Sequence, residues 1–538
     1  MNKKVTSKAT AVNTKATATT GDTVIKGTPA ENRRTLERFI LCLTCFLSGA
    51  SVLIMEMSGN RVLAPTFGNS LYTWTGLIGI ILVSIALGDY LGGWLIDRWT
   101  SKMLVPLLLV VGAALLIFTC AILPSFAQMA STWEVTTGPM KASLLLFFLP
   151  ALVLSSVTPV CVRLFSQTTG DQDIGLSSGT IGMFGTLGSF AGTMLAGFVL
   201  IPMLDVRVIF MGIGGLLILV AIVFALFFRV KDPALIIAPG LILLLIGVAI
   251  VSVPEAVLPG TMFTKSTYYH KIRVFDQESM EGDKLRMLQL DTTNEGGINL
   301  TKKDVVFEYQ HYWQMAQVFC PDLEKALFFG GGAFGMPRKI ATTFPKARID
   351  VVEIDPELIR VGDEWFGLKD FPTIAKHGMD ARVYLRKSPD KYDFIFGDAY
   401  NGIQHIPPHL LTKEFFAEVK SHMTEKGVFM MNLISTPQGP KSELFRSVVT
   451  TLSTTFPAVM TFAIAPETPT RVQNLILVAG NSKEELEAAL AAHNTEPFKS
   501  LIDNRIPTEK MPDISDSRLV LTDWRNNTDL LVARQISK

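Results

Sequence analysis

Apolar residues dominate the chain up to about residue 255, and beyond it short apolar runs alternate with charged stretches. A bilayer core takes about 20 apolar residues per helix. Seven stretches reach that length: 39–58, 71–95, 103–123, 142–165, 176–202, 207–228 and 233–254. The fifth carries Gly182, Gly185, Gly188, Gly192 and Gly197 with Ser178 and Ser189. Such small-residue stripes let another helix approach closely where lipid supplies no hydrophobic drive. Past 255 the period changes. YYHKIRVF (268–275) and LRMLQL (285–290) alternate as short strands and predict a small β subdomain over 262–312. ALFFGGG (326–332), RIDVVEID (348–355), YDFIFGDA (392–399) and GVFMMNLI (427–434) predict buried strands separated by helices, with two more near 459–465 and 471–479. The expected fold is a multi-span α-helical membrane domain (36–255), then the β subdomain, then an α/β Rossmann-like, methyltransferase-type domain (313–538). Residues 1–35 read as a disordered tail, rich in Thr, Ala and Lys and lacking the apolar core of a cleavable signal peptide.

Composition supports two regimes: 49% of the 538 residues are hydrophobic, too many for one soluble domain. A net charge of +1 gives no basic excess for a nucleic-acid partner. Of five cysteines, Cys42, Cys45, Cys120 and Cys161 lie in apolar stretches, so neither a disulfide framework nor a metal site is expected. Glu56 and Asp89 are ionisable groups within or near the first two spans, where they need a partner or a wet cavity, and Arg61 and Arg98 are the candidate partners. Orientation produces a conflict. Arg33, Arg34, Arg38, Arg98, Lys102, Arg163, Arg229 and Lys231 fall on the side of the N-terminus, against Arg61, Lys141 and Arg207 on the other. The positive-inside rule puts the N-terminus in the cytoplasm, and seven spans then deliver the C-terminal domain to the far side, away from cytosolic adenosyl compounds. A multi-pass protein of the cell (inner) membrane with a cytoplasmic catalytic domain is the expectation adopted.

In doubly wound sheets, ligands bind beyond the C-terminal strand ends. There the chain places Gly330, Gly331, Gly332 and Gly335, where missing side chains let backbone approach a nucleoside. About 20 residues on come Glu353 and Asp355, at the place where an acid accepts hydrogen bonds from ribose hydroxyls. Gly378-Met379-Asp380-Ala381 puts a carboxylate where an adenine amino group could be read. Asp398, after a very apolar strand, is the candidate proton acceptor, its pKa open to tuning by burial.

Tyr269-His270 with Ile272, LQLD (288–291), Tyr309-Gln310, the glycine turn, EID, GMDA and Asp398-Ala399-Tyr400 together resemble the spermidine synthase family of polyamine aminopropyltransferases over about 265–480. Ile406 to Thr412, FLSG (46–49) and GDYLGGWLIDR (88–98) are similar to its membrane-fused branch. The resemblance implies transfer of an aminopropyl group from decarboxylated S-adenosylmethionine, a co-substrate and not a resident cofactor, to an amine such as putrescine. It implies Asp398 as base, Glu353 on the ribose, Asp380 with Ala381 on adenine, and His270, Tyr309, Gln310 and Asn401 around the amine. It also implies possible homo-oligomers, and tethering adds membrane lipid as a partner. The chain departs from the family at Ala333, Asn401 and His311, where carboxylates that bind cationic amines are expected, and at His270, where a Gln is. Intact S-adenosylmethionine, used for methylation or sulfonium cleavage, and a polyamine transporter or sensor are the alternatives.

Overall fold

The computed structural model describes residues 29–130, 132–169, 173–252, 259–400, 406–511, 513 and 515–536. Its first half is a bundle containing seven helical paths long and apolar enough to cross a membrane. These begin with α1 (Pro29–Phe67), α2 (Leu71–Arg98) and α3 (Leu104–Ala130). The fourth path is broken into α4 (Gly138–Leu146), α5 (Phe148–Ser155) and α6 (Val157–Thr169). Each break falls three residues before a proline, Pro150 or Pro159, whose ring removes an N–H and crowds the carbonyl four residues back. The fifth runs from α7 (Ile174–Leu195) through a π-helical stretch, Ala196–Leu200, into α8 (Ile201–Met203). The bundle closes with α9 (Val206–Phe227) and α10 (Ala234–Ser252).

The glycine stripe works on one face only. A Cβ on Gly188 would lie 1.9 Å from the Phe46 carbonyl oxygen, and one on Gly192 would lie 2.5 Å from that of Ala50, so α7 packs backbone to backbone on α1. Gly182 and Gly197 have no neighbour within 4 Å and take no part in that contact. The expected acid partners also differ. Among the described residues, neither Glu56 nor Asp89 forms an ion pair; Arg61 instead donates from Nη2 to the Thr267 carbonyl at 2.5 Å, reaching out of the bundle.

That contact docks the second half onto the bundle. Thr292 Oγ1 donates to the Pro65 carbonyl at 2.8 Å, Ser266 Oγ to Asp205 Oδ1 at 2.6 Å, and the Leu71 amide to Asp529 Oδ2 at 3.2 Å. All fall at the α1–α2 and α8–α9 turns, so the second half sits at the end of α1 opposite Pro29.

The second half contains two sheets. The first is antiparallel, β1 (Thr261–Ser266), β2 (Lys271–Glu278), β3 (Lys284–Leu290), β4 (Thr293–Asn299) and β5 (Asp304–Val305), in sequential order. The second has seven strands: β6 (Lys325–Phe329), β7 (Arg348–Glu353), β8 (Ile374–Gly378), β9 (Tyr392–Gly397), β10 (Met423–Ser435), β11 (Ala458–Ala463) and β12 (Gln473–Gly480). Their order is β11-β12-β10-β9-β6-β7-β8. Strands β6 to β10 pair in parallel, while β12 runs antiparallel to β10 and β11. Strand β8 was implied only by the Gly378–Ala381 turn at its end; its burial is mixed, with only Ile374 fully inside, so it shows no continuous apolar run. Chain direction across the sheet reverses between β6 and β9, the switch point where a crevice opens beyond the strand ends.

Candidate active site

The chain leaves β6 directly into the glycine turn. Gly330 has φ +90°, and a Cβ there would lie 2.4 Å from the Asp398 carbonyl oxygen, so this position admits only glycine. Gly332 also has positive φ, +49°. The turn is held from the side by Glu353, at the end of β7. Its Oε2 accepts from the Gly331 amide at 2.9 Å and its Oε1 from the Asp355 amide at 3.0 Å. Burial raises the Glu353 carboxyl above its ordinary range, against those two amides. Its carboxylate therefore faces the crevice with remaining lone pairs fixed in direction.

Asp380 caps the helix Ala381–Lys387, accepting at Oδ1 from the Arg382 and Val383 amides at 2.9 and 3.0 Å, while Oδ2 meets His409 Nε2 at 2.8 Å. Burial works to raise its pKa, but His409 and the helix amides prevail and leave it lowered. Asp380 is thus both a helix cap and a wall of the site.

Asp398 follows β9. Tyr309 Oη donates to Oδ2 at 3.0 Å and the Asn432 side-chain amide to Oδ1 at 2.9 Å. Burial pushes its carboxyl up to about 6, with Glu295 adding to the rise and the two hydrogen bonds opposing it. This is a carboxylate oriented at both oxygens and poised to take a proton near neutral pH. Asn432 is itself fixed by the Asn474 side-chain amide, which donates to its Oδ1 at 3.0 Å.

These groups line a cavity of about 320 Å³, within the range of small-molecule sites. Gly330, Gly331, Gly332, Glu353, Asp380, Ala381 and Asp398 border it, as do His270, Tyr309 and Gln310. His270 is buried, and its Nδ1 lies 3.0 Å from Asp291 Oδ2. Burial favours neutral imidazole, but Asp291 outweighs it and raises the pKa. Asn401 lies outside the described residues. A second cavity, about 350 Å³, shares Glu295, Tyr309, Asp398 and Tyr400 with the first and continues past Asn432 and Asn474. Ala333 and His311 border neither cavity; Ala333 is 1% exposed and packs beneath Gly296.

Three contributors were not singled out from sequence. Asn432 carried a signal, a lone amide inside the apolar run FMMNLI. Glu295 stood in a glycine-flanked strand with no motif around it. The third is the bundle itself: Met57, Asn60 and Arg61 of α1, Trp74 of α2, Gly197 of the π-helical stretch and Ile201 form one wall of the first cavity.

A family model described as the spermine/spermidine synthase domain matches residues 307–489. The chain is 31% identical over 207 residues to the polyamine aminopropyltransferase of Vibrio vulnificus, covering 38% of this chain and 67% of that one. It is 33% identical over 117 residues to the eEF1A lysine and N-terminal methyltransferase of Mus musculus, covering 20% of this chain but only 17% of that one. The crystal structure of a probable spermidine synthase from Corynebacterium glutamicum aligns over 45% of this chain and 89% of its own, at 22% identity and a TM-score of 0.38.

Proposed function

The chain belongs to the spermidine synthase family, and from that premise we propose that it is a membrane-tethered aminopropyltransferase acting on an adenosyl sulfonium and a small amine. The amine nitrogen attacks the methylene of the aminopropyl arm that is bonded to sulfur, that carbon–sulfur bond breaks, and its electron pair returns to sulfur as neutral methylthioadenosine. The proton lost by the amine passes to Asp398. A sulfonium is already an activated electrophile, so the protein has chiefly to align the amine and keep it unprotonated.

One observation carries this reading: Asp398, oriented by Tyr309 and Asn432 with a carboxyl pushed up to about 6, stands where the two cavities meet. The first cavity suits the nucleoside, with Glu353 to accept from the ribose, the Asp380–Ala381 turn against the base, and the glycine turn beneath. The second cavity suits the acceptor. Its lining includes Asn294, Asn432 and Asn474, and the loss of the family's amine-binding acids at Asn401 and His311 favours an amine other than plain putrescine. The helical bundle would hold the enzyme in the cell membrane with the catalytic domain on the cytoplasmic face, where adenosyl sulfoniums are made.

Similarity to a methyltransferase motivates a second reading, in which intact S-adenosylmethionine methylates an acceptor. Incubating the purified full chain with each sulfonium and a panel of amines separates the two. Methylthioadenosine and an aminopropylated amine, formed only from the decarboxylated sulfonium, are the expected products. Adenosylhomocysteine from intact S-adenosylmethionine would overturn aminopropyl transfer.

A further inference from the structure

Where the two cavities meet, Tyr309 and Tyr400 are accounted for by the scaffold around Asp398, since Tyr400 Oη donates to the Asn432 carbonyl at 3.2 Å. Glu295 is not. It lies on β4, and its carbonyl oxygen is 3.2 Å from the place a Cβ on Gly332 would occupy, so the strand runs against the glycine turn. Its Oε1 accepts from Thr293 Oγ1 at 2.6 Å, and among the described residues it has no ion-pair partner. Burial holds its carboxyl above the ordinary range, with Thr293 and His270 opposing. A carboxylate at the reacting centre that forms no ion pair within the protein suits a cation brought by the substrate. The glycine turn supplies no charge of its own there, because Ala333 faces the β subdomain.

We propose that Glu295 is the specificity residue that binds the cationic arm of the nucleoside and discriminates against an arm bearing a carboxylate. This rests on the reading of the first cavity as an adenosyl sulfonium site, and it narrows the substrate class to a decarboxylated sulfonium. That arm carries positive charge at sulfur and nitrogen and no negative charge, so every interaction with Glu295 is attractive. The intact methionine arm adds a carboxylate that meets a like charge in a partly desolvated site, where repulsion is weakly screened.

The test is calorimetric binding of decarboxylated S-adenosylmethionine, S-adenosylmethionine and methylthioadenosine to the full chain in detergent, for the wild type and Glu295→Gln. Glutamine keeps the shape and an acceptor for Thr293. The wild type should prefer the decarboxylated form, and the variant should bind it about tenfold more weakly, a loss of the size expected for one partly buried charge pair. Methylthioadenosine, which has no charged arm, should bind both proteins alike, and Glu295→Asp should retain the preference. A wild type that prefers intact S-adenosylmethionine would overturn the assignment. So would a preference unchanged in Glu295→Gln, or an equal fall for all three ligands, which marks a structural role. Selective binding without aminopropyl transfer would sink the proposed reaction and leave the assignment standing.

Discussion

Asp398 shows how a single side chain couples activity to stability. Replacing it with Asn keeps both hydrogen-bonding partners within reach but removes the proton acceptor, so kcat should fall by about 10²–10⁴, the usual worth of a positioned base, with the sulfonium KM little changed. In the wild type, kcat/KM should rise with pH through about 6 as the carboxyl ionises. Stability moves the other way. An acid whose pKa is raised by folding holds its proton more tightly in the native state, so native stability declines as pH climbs from the unfolded value toward 6. Asp398→Asn should therefore raise the midpoint of thermal unfolding at pH 7, by on the order of 1–3 kcal/mol of stability; an unchanged or lower midpoint would argue against a strained base. Glu353 and Asp398 were legible in the sequence because each ends an apolar strand, and Asp380 through the Gly378–Ala381 turn that carries it. Glu295 was not, because it reaches the site from a different sheet, and only the fold brings β4 against the turn after β6.

At the scale of elements, the glycine turn has the least freedom. Gly330→Ala would force a Cβ into the Asp398 carbonyl at a backbone angle that side chains rarely adopt, costing about 1–3 kcal/mol and displacing both the turn and the base. Nucleoside affinity measured by calorimetry should fall at least about tenfold, in step with a lowered unfolding midpoint. Wild-type affinity in this variant would mean the turn does not touch the nucleoside. The α7 stripe carries a different lesson. Sequence displayed all five glycines alike, yet only the face toward α1 is in contact, since helical phase decides which small residues meet a neighbour. Hydropathy marked seven spans, whereas the breaks in the fourth follow from Pro150 and Pro159, which a window average smooths away.

Seven helical paths place the catalytic domain and Pro29 at opposite ends of the bundle. The shortest, α10, has 19 residues, roughly 28 Å of helix and close to a bilayer core. A cytoplasmic catalytic domain therefore leaves the Lys- and Arg-rich end outside, against the positive-inside rule. A fluorescent reporter fused after Lys538 should be active in the cytoplasm; alkaline phosphatase activity from the same fusion point would move the catalytic domain outside and require a sulfonium supply there. Arg61 belongs to this scale too, since no pattern within either half could show that α1 reaches the nucleoside cavity. Its guanidinium holds the Thr267 carbonyl, and Thr267 Oγ1 donates to Asp355 at 2.6 Å behind Glu353. Arg61→Ala should raise the sulfonium KM about 5–20-fold with a smaller change in kcat, the mark of lost binding and not of lost chemistry. A normal KM would make that wall a bystander.

A ligand that grips both halves also acts as a thermodynamic rivet. Met57, Asn60, Arg61 and Trp74 wall one side of the cavity and the strand ends the other, so a ligand bound there would tie the two halves, neither unfolding without forfeiting its binding energy. Saturation at 100 times the dissociation constant adds about 2.7 kcal/mol to whichever state keeps the cavity intact. On the proposed function, the supply of nucleoside would set how strongly the melting of the bundle and of the catalytic domain are tied together.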